Sequence, residues 1–115
     1  MRCGPGMAYR VSLTPLAEAD AYAAFERIRT EAPELAESWL NGLFGAIFSL
    51  EEFPMRGPVI GEAEELGFPA RHLLYGKGRG GHRIIFHIRE DGQHVRVLRI
   101  WHGFRDAITA ADVEE

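Results

Sequence analysis

The sequence predicts an α+β domain: a strand, two helices packed on one face of a sheet, then an antiparallel three-strand meander. Three observations carry this. Apolar residues recur every three or four positions from Pro15 to about Leu50, and the pattern changes to alternation after Pro69. Asp91-Gly92 between two alternating runs is a two-residue hairpin signal. With 115 residues, 46% hydrophobic and 26% charged, the chain can bury one core and is too short for two. The expected organisation is a disordered extension over residues 1–8, a single domain over 9–106, and an acidic tail or short helix over 107–115.

Tyr9 to Leu13 alternates well enough for a short strand, and Thr14-Pro15 supplies an N-cap followed by a proline at the first helical position. From Pro15 to about Thr30, Ala17, Ala21, Ala24, Phe25 and Ile28 form an apolar stripe, with Glu18, Asp20, Glu26, Arg27 and Arg29 turned elsewhere. Pro33 opens a longer helix striped by Leu35, Trp39, Leu43, Ile47 and Leu50. Ala36, Leu40, Phe44 and Phe48 widen the stripe, implying burial against both the first helix and a sheet. Gly42 and Gly45, each costly in a helix, point to close packing against a neighbour. Pro54 ends the helix, and Met55 to Phe68 reads as a surface connection. The meander follows as His72 to Tyr75, Arg83 to Arg89 and Val95 to Trp101, with Ile84, Phe86 and Ile88 on one face. The last strand is apolar on both faces, so its register is open.

Several function classes are excluded or disfavoured. Cys3 alone gives neither a disulfide framework nor a thiolate metal site, and no apolar run is long enough to span a membrane, so a cytoplasmic location is the default expectation. No cofactor is implied. The net charge of −4 hides an asymmetry. Residues 1–69 hold five basic groups against eleven acidic, a net of −6, whereas residues 70–106 hold eight against three, a net of +5. Of the 13 basic residues only Lys77 is a lysine, and arginine forks suit bidentate contact with phosphate or carboxylate. An anionic partner is therefore one reading of the second half, and ordinary solvated faces are the other.

Gly76 to Gly81 opens no helix, so it reads as a hairpin loop rather than a nucleotide cradle, with Lys77 and Arg79 available at its tip for a partner. His72, His82, His87, His94 and His102 lack the spacing of a metal motif. The most suggestive stretch is Ile100 to Asp106. In one reading Trp101 packs, His102 is a polar strand end and Arg105 pairs with Asp106. In the other, His102 serves as a general acid or base while Arg71, Arg83 and Arg105 neutralise a phosphodiester.

The residues Tyr9-Arg10-Val11 into Thr14-Pro15-Leu16-Ala17-Glu18, Phe53-Pro54-x-x-Gly57, Arg71-x-Leu73-Leu74-Tyr75, His82-Arg83-Ile84-Ile85-Phe86, and Val97-Leu98-x-Ile100-x-His102-Gly103-x-Arg105-Asp106 resemble the RelE/ParE superfamily of toxins from type II toxin-antitoxin, or plasmid stabilisation, modules. The resemblance implies the same order of strand, helices and meander, and a growth-inhibiting protein neutralised in a hetero-oligomer by an antitoxin that also binds operator DNA. It implies one of two targets. ParE-like members inhibit DNA gyrase and are not enzymes, whereas RelE- and YoeB-like members cleave mRNA on the ribosome. A purely regulatory, inactive antitoxin-binding protein is a further option. By position, Arg83 and His102 match catalytic residues of nuclease members, and Arg71 and Arg105 fall where other basic site residues occur. No tyrosine follows His102, the lysine-rich helix is absent and the chain is acidic overall, which favours the gyrase-directed type. Antitoxin binding is expected at the helical stripe edges around Trp39 and Phe44, at Trp101 and at the sheet's free edge, steered by the basic segment.

Overall fold

The computed structural model describes residues 8–76, 81–89, 91, 93–103 and 107–113. Its elements are β1 (Arg10–Leu13), α1 (Pro15–Glu31), α2 (Pro33–Phe48), α3 (Ala63–Leu66), β2 (Arg71–Tyr75), β3 (His82–Arg89) and β4 (His94–His102), with 3-10 turns at Ser49–Glu51, Pro54–Arg56 and Ala110–Asp112. The fold is α+β, as expected. β2, β3 and β4 form the antiparallel meander, and β1 completes a four-stranded sheet in the order β1-β4-β3-β2 by pairing parallel to β4. Glycine 92 of the expected hairpin signal lies outside the described residues.

Thr14 starts α1 as expected. Its hydroxyl accepts from Ala17 N at 3.0 Å and donates to Leu98 O at 2.8 Å, so one buried side chain caps the helix and ties it to β4. α2 ends at Phe48, before Pro54, and the chain leaves it through the Ser49–Glu51 turn. Its stripe is narrower than expected: Leu43, Ile47 and Leu50 are fully buried, but Leu35 and Phe48 are exposed. Gly42 does pack closely, because a Cβ there would collide with the Tyr75 hydroxyl, which donates to Trp39 O at 2.9 Å. Gly45 faces open space, and no packing reason accounts for it.

A β-bulge settles the register of β4. Phe86 pairs with Val97 and Ile85 with Arg99, leaving Leu98 as the extra residue. The bulge shifts the alternation by one, so Val95, Val97 and Ile100 all join the core with Ile84 and Phe86 beneath α1 and α2. That explains why the strand looked apolar on both faces.

The expected surface connection is a second covering layer. Ile60, Ala70 and Ile108 pack against Ile85 on the face opposite the helices, with Phe68 and Trp101 beside them. Ile60 N donates to Ala70 O at 2.9 Å, and Val59 bridges Arg71, so the segment is pinned to the start of β2. Gly57 allows this closeness: a Cβ there would sit 2.6 Å from His72 O and 3.0 Å from the Phe86 ring. The Gly- and Pro-rich composition signalled irregular backbone correctly but said nothing of what it covers.

Candidate functional site

Alternation along β3 places His82, Ile84 and Phe86 on the helix face, and Arg83 and Ile85 on the other. Arg83 is buried, and each of its three guanidinium nitrogens donates within the fold. Its two terminal nitrogens donate to the two Glu62 oxygens at 3.0 Å each, and its Nε donates to His72 Nδ1 at 3.0 Å. Glu62 also accepts from Ile108 N at 3.2 Å, so its carboxylate joins the connection, the sheet and the C-terminal segment. The Arg83 hydrogen bonds hold the Glu62 pKa down at about 2, against an ordinary 4.5, with burial opposing and the Ile108 N–H assisting. His72 is pushed toward its neutral form. Burial lowers its pKa, and the nearby Arg83 charge lowers it further. Accepting from Arg83 at Nδ1 fixes it as the neutral tautomer protonated on Nε2.

The other expected site residues do not join Arg83. Arg71 stands on the helix-face row opposite Phe86 and donates to Met55 O and Gly57 O at 3.2 and 2.8 Å, holding the connection in place. His102 is exposed at the far end of β4, opposite His82, with the two rings 4.7 Å apart. Four residues of strand, roughly 13 Å at the usual rise, separate the Arg71 row from the His102 row. The expectation of one surface shared by Arg71, Arg83 and His102 is thus corrected: they lie at two ends and on two faces of the sheet. Arg105, Lys77 and Arg79 lie outside the described residues.

Much of the arginine-rich half binds its own chain. Arg96 donates to Ser12 Oγ at 3.0 Å, joining β4 to β1, and Arg99 pairs with Asp20 of α1 at 2.6 and 2.8 Å. Asp20 therefore does not turn away from the packed face as the helical pattern suggested. A signal was present, since Asp20 lies three residues after Ala17 and four before Ala24, inside the stripe. Trp101 lies opposite Arg83 in register and carries the Arg99 guanidinium carbon 5.2 Å from its ring centroid. Trp39 is half-buried, edge-on to Tyr75 and His82. Phe44 is half-buried and stacks on exposed Phe48, with exposed Phe53 and Met55 following in the chain.

One open cleft of about 360 Å³ lies between α1 and the end of β4, lined chiefly by Asp20, Ala24, Arg27, His82, Ile100 and His102. It brings together two expected residues, His102 and Trp101, with two that the sequence reading did not assign to a site, Asp20 and Arg27. Among the described residues no cluster of three His, Cys, Asp or Glu groups could hold a metal ion. No helix among them is long and apolar enough to cross a membrane.

A sheet backed by an α1–α2 hairpin, with its last strand ending at an exposed histidine, agrees with a specific family. The model of the ParE toxin of type II toxin-antitoxin systems, parDE, matches residues 11–107, and the chain belongs to that family. Among solved structures it is similar to the chromosomal ParDE toxin-antitoxin system from P. aeruginosa, with a TM-score of 0.65 and 20% identity over 84% of this chain and 98% of that one. It is also similar to the RelBE2 toxin-antitoxin complex from Mycobacterium tuberculosis, with a TM-score of 0.52 and 19% identity over 85% and 94%. At these identities the structural likeness concerns the fold. A search of curated protein sequences gave no significant match.

Proposed function

We propose that this chain is the growth-inhibiting toxin of a cytoplasmic toxin-antitoxin module, neutralised by a cognate antitoxin through which any operator DNA is bound. We further infer that it inhibits by binding a protein target, DNA gyrase, rather than by cutting RNA. The observation that carries the second part is the placement of Arg83. Its charge is neutralised by Glu62 on one face of the sheet while His102 sits on the other, so the two do not converge on a single scissile phosphate. The antitoxin reading is supported by both solved relatives being described as toxin-antitoxin systems. Exposed apolar side chains from Phe48 through Phe53 and Met55, continuous with Phe44, offer a surface for it.

A ribosome-dependent mRNA endoribonuclease is the second reading, favoured by one observation: His102 is exposed beside Arg27 in an open cleft. Inducible expression with and without the neighbouring small gene tests the module. Growth arrest relieved by the neighbour is the expected result, and harmless expression at every level contradicts it. DNA-damage signalling with intact mRNA supports the gyrase target. Rapid mRNA cleavage that disappears in His102→Ala supports the nuclease instead.

A further inference from the structure

The outer edge of β4 changes partner part-way along. β1 pairs with it as far as Val97, and beyond that α1 takes over: the Thr14 hydroxyl donates to Leu98 O, and the Asp20 carboxylate accepts from Ile100 N at 3.0 Å. Gly103 N donates to Gly81 O at 2.8 Å across the β3 side, so residues 101 and 103 face β3 while Ile100 and His102 present their backbone groups outward. Past Asp20, the helix lines the cleft with Ala23, Ala24 and Arg27 only. The two alanines offer no side-chain acceptor for the His102 N–H.

The cleft is therefore rich in donors. It presents the His102 backbone N–H, the exposed His102 imidazole and the Arg27 guanidinium, over a floor formed by buried His82. Arg27 is exposed and makes no hydrogen bond or ion pair among the described residues. Arg99, the other cation there, is already matched by Asp20. Among the described residues the surplus is one guanidinium charge, which a single carboxylate balances and which a run of phosphates would have to share with the Asp20 carboxylate in the wall.

We propose that this cleft receives the carboxylate of an aspartate or glutamate side chain on a polypeptide partner. The proposal rests on the reading that a partner protein binds this chain, and assigns the point at which an acidic residue anchors it. The carboxylate would take a forked contact from Arg27 and a second from the β4 edge at His102.

The test is a titration of the full-length, isotope-labelled chain, followed by NMR, with the blocked peptide acetyl-(Glu)4-amide, its acetyl-(Gln)4-amide analogue, and a uridine tetranucleotide. The glutamate peptide should move the His102 ring and the 100–103 backbone resonances, and the glutamine peptide should not. Arg27→Ala should weaken glutamate binding about tenfold, the loss of one charge-assisted contact of roughly 1.4 kcal/mol. Arg29→Ala, which lies on the same helix outside the cleft lining and is already paired with Glu26, should leave it unchanged. Equal response to both peptides, saturation by the tetranucleotide at lower concentration than by the peptide, or indifference to Arg27→Ala would each overturn the proposal. Rescue of growth by the neighbouring gene is read separately in cells. Intact rescue with no glutamate binding sinks the cleft assignment alone, and glutamate binding without growth arrest sinks the toxin reading alone.

Discussion

The two faces of the sheet are built differently. Under α1 and α2 the core is continuous and apolar, with Leu43, Ile47, Leu50, Ile84, Phe86, Val95 and Val97 fully buried. The opposite face has a small cluster, Ile60, Ala70, Ile85 and Ile108, beside a buried ion pair between Arg83 and Glu62. The apolar face gains from area removed from water and is tolerant of partner geometry. The other face depends on a few directional contacts, each of which leaves a buried charge behind when its partner is removed. An arginine in a strand is thus not by itself a site: here it fastens a covering segment through Glu62.

Four substitutions sharpen the contrast. Phe86→Ala empties a fully buried position of the helix face and should cost about 4 kcal/mol in chemical denaturation, enough to threaten folding altogether. Glu62→Ala strands the Arg83 charge and should cost about 3 kcal/mol, with the loss concentrated in protection of the 57–70 segment and the Ile108 amide by hydrogen exchange. Thr14→Ala removes both a cap and a tie to β4, and should cost about 1–2 kcal/mol. Arg29→Ala breaks only an exposed pair with Glu26 and should change stability by less than about 0.5 kcal/mol.

Acid should distinguish the faces too. In the folded chain Glu62 stays ionised where the unfolded chain takes up a proton, because its folded pKa is near 2 against 4.5. The stability it contributes is therefore complete above about pH 5 and lost as the pH falls toward 2. His72, whose folded pKa is also depressed, adds a decline that begins as the pH drops through 6.5. Wild type should lose stability steeply between pH 5 and 2, and Glu62→Gln should flatten that limb while lowering the neutral plateau. An unchanged acid limb in the variant would show that the ion pair does not fasten this face.

The helices, the three meander strands and the capping threonine were legible because period and cap chemistry are local. The bulge at Leu98, the parallel pairing of β1 and the covering role of residues 57–70 were not, since each depends on a partner far along the chain. The same holds for the arginines. Glu62 and Arg83 are 21 positions apart, and Asp20 and Arg99 are 79 apart, so no spacing rule couples them. Composition registered a basic half, but most of its described arginines find acceptors within the fold. Family resemblance placed Arg83 and His102 by position and could not see that a strand's two-residue alternation sets them on opposite faces.

The central claim is that Arg83 fastens the fold and does not touch a substrate. Replacing the pair together, Arg83→Met with Glu62→Leu, removes both charges at similar volume, a change that buried ion pairs often tolerate. The most direct measurement is growth arrest and RNA 5′-end mapping in cells expressing wild type and this double variant. The account predicts a folded double variant that still arrests growth, with no new RNA ends in either case. New ends in wild type that vanish in a folded, harmless double variant would contradict it.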